Sequence, residues 1–322
     1  MLPAAAQPVA VAHPGRVHLV DLELDAVTEA DAIRMILRGL DEGEGGFVVT
    51  PNLDHLRQLS RKPELAALFR KPDIVVADGM PLVWASRLQG TPLPERVAGS
   101  ELIWSLTAEA ALRDRSVFLL GGAPGTCEGA EERLRSCYPG ARFAGHFCPP
   151  FGFEYDADEI ERIRAVLRDA EPDIVFVGLG FPKQERLIAY LRSEFPRMWF
   201  LGVGYSFSFV AGATPRAPGW MIQHGLEWLH RLVQDPRRLA TRYLVHGLPF
   251  AARLFASALA ARVRPRRRSI PQRPAPEALP SASTADRVVF GYGSLERLRA
   301  DLLAELMEPE PELDAGPEFA RR

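Results

Sequence analysis

One carboxylate, Asp78, follows an apolar run at residues 74–77 and is itself followed by Gly79. A carboxylate in a partly desolvated cleft can take a proton from a hydroxyl group. The same residue could cap the next helix, with Pro81 early in its first turn, and taken alone it supports both readings. Thr50 and Asn52 close a second apolar run, 47–49. They could hydrogen-bond a sugar or orient Asp78, and they suit turn and N-cap roles equally. Gly121-Gly122-Ala123-Pro124-Gly125 lets backbone approach a ligand and opens a helix whose N–H groups suit a phosphate. No G-K-[ST] follows it, and G-x-G-x-x-G is poorly matched. In Gly180-Phe181-Pro182-Lys183-Gln184-Glu185, Pro182 fits a first helical turn. Lys183 and Gln184 then lie at the positive helix end, near a bound anion or as a solvated helix start.

These side chains need a scaffold. Short β-branched runs at 17–20, 47–49, 74–77, 117–120, 143–146, 174–178 and 199–202 read as strands, mostly too apolar to have a wet face. Amphipathic stretches at 29–42, 63–70, 100–113, 127–137, 158–170 and 183–194 read as helices. The alternation predicts an α/β fold: a Rossmann-like, mostly parallel sheet flanked by helices on both faces, with a C-terminal helical appendage. Ligands of such sheets bind at the carboxyl ends of strands, so five strand ends converge on one rim. The expected organisation is a disordered leader at 1–15, the α/β domain at 16–212 and an Arg/Trp-rich helical appendage at 213–262. A linker and mostly disordered acidic tail would occupy 263–322, with a short helix at 294–307.

The 322 residues can bury a sizeable core, and 47% apolar with 25% charged residues is ordinary for a globular protein. The net charge of -2 hides an uneven distribution: residues 213–270 hold 11 Arg, no Lys and two acids, whereas 271–322 hold 10 acids against 6 Arg. The basic block suggests an anionic surface as partner. Cys127, Cys137 and Cys148 are odd in number and lack C-x-x-C spacing, which fits a reducing compartment and neither a disulfide framework nor a zinc site. The start lacks the basic and apolar regions of a signal peptide. The best candidate for a membrane span, 243–261, contains His246, Pro249 and Arg253, so no spanning helix is expected.

Six motifs occur in order: Thr50-Pro51-Asn52-Leu53-Asp54-His55, Ala77-Asp78-Gly79-Met80-Pro81, Arg96-Val97-Ala98-Gly99-Ser100, Leu119-Leu120-Gly121-Gly122, Gly178 through Glu185, and Arg216-Ala217-Pro218-x-Trp220-Met221. Together they resemble the WecG/TagA/CpsF family of bacterial glycosyltransferases, over roughly residues 17–244. The resemblance implies a metal-independent, inverting transfer from a UDP-sugar, such as UDP-N-acetylmannosamine, to an undecaprenyl-diphosphate-linked saccharide, without a cofactor. Asp78 would be the base, with Thr50, Asn52 and Gln184 lining the sugar end of the pocket. Arg96 belongs to a matching motif, and Arg231, Arg238 and Arg242 match the appendage arginines that serve the diphosphate. Charge bookkeeping agrees, since UDP departure leaves about two negative charges and arginine forks can neutralise them.

The same resemblance implies a cytoplasmic enzyme, peripheral on the inner face of the cell membrane through its appendage, making cell-surface polysaccharide and binding no nucleic acid. Trp220 and Trp228 could sit at the lipid interface, or the appendage could be a soluble helix pair burying Leu226, Leu229 and Leu232. An appendage completing a neighbouring subunit's pocket, hence a homo-oligomer, is compatible with the sequence. One position departs from the family pattern: Phe207 is followed by Ser208 where the family shows F-D, which bears on donor contacts and helix anchoring. Two rival functions remain, a non-catalytic sensor of nucleotide sugars and a nicotinamide-dependent oxidoreductase. The latter would need a Gly-rich turn after the first strand, and Asp21-Leu22-Glu23 stands there.

Overall fold

The computed structural model describes residues 15–263, apart from the side chains of Gln223 and Arg238. The expected leader up to residue 14, the tail beyond 263 and its helix at 294–307 lie outside the described residues.

The chain begins with a hairpin, β1 (Arg16–Leu19) and β2 (Leu22–Asp25), whose strands pair antiparallel. Helix α1 (Glu29–Glu42) follows, opened by a Thr28–Asp31 capping box and closed by Gly43 at φ 77°. Then come β3 (Gly46–Val49), α2 (Leu53–Leu59), α3 (Pro63–Leu68), β4 (Ile74–Val75), α4 (Met80–Gln89) and α5 (Gly99–Leu112). The second half of the sheet is built from β5 (Ser116–Gly121), α6 (Thr126–Cys137), β6 (Arg142–Phe147), α7 (Ala157–Ala170), β7 (Ile174–Gly178), α8 (Lys183–Leu191) and β8 (Trp199–Gly202). Short α9 (Ser206–Val210) leads to the C-terminal helices α10 (Gly219–Gln223), α11 (Glu227–Gln234) and α12 (Pro236–Ala240), a π-helical stretch Thr241–Gly247, and α13 (Leu248–Val263).

Six strands form one all-parallel sheet in the order β4-β3-β8-β7-β5-β6. Strands β3, β5, β7 and β8 are buried at every position, which is why they read as continuous apolar runs. Ile36, Val48, Leu102, Val117, Phe176, Leu201 and Phe207 belong to the core between this sheet and its helices. The architecture agrees with the α/β expectation, with one correction. The first run, 17–20, is no member of the parallel sheet but half of the separate hairpin. That hairpin reaches the sheet edge through Asp25, whose carboxylate accepts from Val75 N at 2.8 Å and satisfies an edge-strand donor. The strand that would open a nucleotide-binding unit is therefore β3, which ends in Thr50-Pro51-Asn52 with no glycine.

After Gly212 the helices fold back onto the domain, α13 packing on α4 and the π-helical stretch on α2. Phe250, Leu254 and Ala258, at four-residue spacing, form the buried stripe of α13. Leu248, Leu259 and Val263 remain exposed on it. The span Thr241–Val263 is helical over 23 residues and, by length and composition, apolar enough to cross a membrane. Pro249 sits at the junction of the π-helical and α-helical parts and does not end the helix.

Candidate active site

A cleft of about 930 Å³ opens at the carboxyl ends of β4, β3, β8 and β7, four neighbouring strands. Asp78 reaches it because the chain past β4 keeps pairing with the chain past β3: Val76 N donates to Val49 O at 3.0 Å and Asp78 N to Pro51 O at 2.9 Å. This sets Asp78 beside Thr50 and Asn52. The capping alternative for Asp78 fails, because the N-cap of α4 is Gly79 and no side chain caps that helix. Asn52 does act as a cap. Its Oδ1 accepts from Asp54 N and His55 N at the start of α2, while the residue also lines the cleft. Thr50 Oγ1 donates to Gly202 O at 3.3 Å and so ties β3 to β8.

Gln184 closes the back of the cleft. Its Oε1 accepts from Gly204 N at 3.0 Å and its Nε2 donates to Glu185 Oε1 at 2.8 Å, so both ends of the amide are fixed. A Cβ at position 202 would stand 2.7 Å from Gln184 Nε2, so the amide fits there only against a glycine. Gly180 lines the cleft as well.

The C-terminal helices supply the opposite wall, with Ile222, Trp228, Arg231, Arg242 and Tyr243 among the lining residues. Gly225, at φ 71°, makes this approach possible, since a Cβ there would meet Met80 Cγ at 2.6 Å. Arg231 Nη2 bonds Glu227 Oε1 at 2.9 Å, and the guanidinium lies 4.7 Å from the centre of the Phe209 ring. Arg242, in the π-helical stretch, pairs with Asp54 of α2 at 3.1 Å. π-Helical turns recur at functional positions. The Nε groups of Arg231 and Arg242 are buried and have no acceptor, as is that of Arg216. Arg231 and Arg242 line the cleft, and their positive charges suit an anionic ligand there.

Electrostatics set Asp78 apart. Its side chain is 29% exposed, toward the open side of the cleft. Burial pushes its pKa up to about 6; Arg96 and Arg231 pull it down, while Glu227 and Glu101 push it up. Arg96 Nη1 stands 3.5 Å from Asp78 Oδ1, and Nη2 is taken by Glu101 at 2.6 Å. Asp78 can therefore hold or release a proton near neutral pH, as a base must. His55 is driven down to about 4, chiefly by burial, and stays neutral, its Nδ1 accepting from Asn52 N. Burial raises the Asp54 carboxyl, but Arg242 and Arg57 outweigh it, and the group stays below its usual range.

The structure thus brings Thr50, Asn52, Asp78, Arg96, Gly180, Gln184, Arg231 and Arg242 to one cleft. Gly121 and Gly122 lie outside its lining, because β5 is the next strand beyond β7. Their lack of a Cβ serves packing, since a side chain would strike Leu179 or Thr126. Pro182, the N-cap of α8, is also outside, and Lys183 points elsewhere, pairing with buried Glu154 and lying 4.8 Å from the Phe151 ring centre. Arg238 falls on α12, and its side chain lies outside the described residues. Trp228 lines the cleft with its ring edge-on to Tyr243, whereas Trp220 is 59% exposed. Ser208 is buried in α9, where its carbonyl accepts from Thr214 N at 3.1 Å, so a backbone bond anchors the helix end. The sequence reading passed over Glu227 as a cleft residue. Its one signal was the four-residue spacing to Arg231 on an amphipathic helix.

Among known proteins, the chain is similar to N-acetylglucosaminyldiphosphoundecaprenol N-acetyl-beta-D-mannosaminyltransferases. The Bacillus spizizenii enzyme is 35% identical over 200 residues, covering 62% of this chain and 75% of the relative. The Bacillus subtilis enzyme is 31% identical over 199 residues, with the same coverage. The Staphylococcus aureus (strain MW2) enzyme is 33% identical over 195 residues, covering 60% and 74%. Residues 17–264 match the description of a whole family, and four of the six motifs that pointed to it line the cleft. The chain belongs to the glycosyl transferase WecG/TagA/CpsF family.

Proposed function

We propose that this glycosyltransferase moves N-acetylmannosamine or a related sugar from a UDP-sugar onto an undecaprenyl-diphosphate-linked saccharide, with inversion at the anomeric carbon. The relatives' names carry the mannosaminyl group and the lipid-linked N-acetylglucosamine acceptor. Asp78 takes the proton from the acceptor hydroxyl as that oxygen attacks the anomeric carbon. The bond to the diphosphate breaks on the opposite face, and UDP leaves with the bonding electrons. Arg231 and Arg242 neutralise the departing charge. Thr50, Asn52 and Gln184 hold the sugar end. The observation that carries this reading is the meeting in one cleft of a carboxyl raised to about 6 and of the Arg231 and Arg242 side chains.

The helices after Gly212 act in this reading as an appendage that closes over the donor and rests on the inner face of the cell membrane. The exposed Trp220, Leu244, Val245, Leu248, Leu259 and Val263 support that placement. Asp78→Asn tests the chemistry: turnover with labelled donor and a short-chain lipid acceptor falls about 10²–10⁴-fold while UDP still binds. Turnover near the parent's would sink the base assignment.

A further inference from the structure

Arg96 is the hinge of the charge arrangement around Asp78. Its side chain is 13% exposed, and three carboxylates crowd it. Glu101 holds Nη2 at 2.6 Å, while Nη1 is shared between Asp78 Oδ1 at 3.5 Å and Glu227 Oε2 at 3.8 Å. A charge-assisted N–H···O bond is about 2.7–2.9 Å long, so Nη1 is committed to neither acid. The other oxygen of Glu227 takes Arg231 Nη2 at 2.9 Å. A Glu four residues before an Arg, in the first turn of its helix, is favourably placed for both the pair and the helix dipole. Glu227 is only 16% exposed, so its charge is screened little by solvent.

We propose that Glu227 is a positioning residue that draws the Arg96 guanidinium off Asp78 and holds Arg231 over the cleft, so that docking of α11 frees the base and sets a phosphate-binding arginine together. The inference rests on Asp78 being the base. The charged groups facing Asp78 are Arg96 from the segment before α5, Glu101 on α5, and Glu227 and Arg231 on α11. Without the Glu227 charge, Nη1 has one acid left to approach. It closes on Asp78, occupies the oxygen that must accept the proton, and makes that carboxylate a weaker base.

The test is the pH dependence of kcat/KM for the UDP-sugar donor at saturating acceptor, comparing the full-length parent with Glu227→Gln and Glu227→Asp. Glu227→Gln moves the acid limb down by about half a pH unit or more. Its plateau falls about tenfold, as expected of a weaker base and a loosened Arg231. Glu227→Asp keeps the charge and leaves the limb within about 0.2 unit of the parent's. Should Glu227→Gln fail to fold, Glu227→Ala supplies the second neutral variant and must shift the limb in the same direction. A folded neutral variant whose plateau drops while its acid limb stays in place overturns the proposal, because a structural role alone has that signature. If Asp78→Asn retains activity, the base assignment itself falls. A dead Asp78→Asn with an unmoved Glu227→Gln limb sinks only the role of Glu227.

Discussion

The two walls of the cleft hold their side chains in different ways. On the sheet side, backbone bonds fix each group: Thr50 to Gly202, Asn52 to the start of α2, Gln184 to Gly204. On the helical side, acids hold the arginines: Glu227 holds Arg231, and Asp54 holds Arg242. Strand ends give a reacting group one position within a fraction of an ångström, which suits proton transfer. Ion pairs can be exchanged for a phosphate at small net cost, because one anion replaces another. The geometry of the chemistry belongs to the sheet, and exchangeable charge belongs to the appendage.

Removing the exchangeable charge sharpens this contrast most. Arg231→Ala combined with Arg242→Ala should lower kcat/KM for the donor on the order of 10³-fold with the thermal transition little changed. Equal loss of donor affinity and of fold stability would make these arginines structural. Attachment of the helical wall comes next. Leu254 is buried on α13, the helix that packs on α4, so Leu254→Ala should cost about 3 kcal/mol in urea unfolding. A loss under about 1 kcal/mol would mean that α13 is hardly anchored there.

The smallest effect is expected behind the sheet wall. Burial raises Glu185 to about 7, outweighing the bond from Gln184. A carboxyl whose folded pKa lies above its unfolded value binds more protons when folded. Its contribution to stability is complete below about pH 4.5, and is lost as pH rises through about 7. Glu185→Gln should therefore gain about 2 kcal/mol over the parent at pH 8 and little at pH 5, read from chemical denaturation. Equal gains at both pH values would show that the Glu185 charge is not the cause.

Much of the sheet wall was legible in the chain. Residues 174–178 and 199–202 become β7 and β8 unshifted, and α1 falls on residues 29–42, because fully apolar runs and a capped amphipathic period are local signals. The hairpin was missed for an equally local reason. A four-residue strand that alternates exposed and buried positions has the wet face of an antiparallel pair, and the parallel assignment ignored it. Lys183 was placed at the positive end of a helix, but its partner, Glu154, comes from a different segment, which no spacing along α8 reveals.

The sequence by itself determined which residues end strands, since side-chain periodicity and small residues at turns act within a few positions of each other. Only the tertiary structure decided which of those ends are neighbours. The order β4-β3-β8-β7 gathers Asp78, Thr50 and Gln184 and leaves Gly121 outside, because crossover connections, not local pattern, fix strand order. The placement of Glu227 beside Arg96 was likewise decided by packing of α13 on α4 and the turn at Gly225, contacts between segments far apart in the chain.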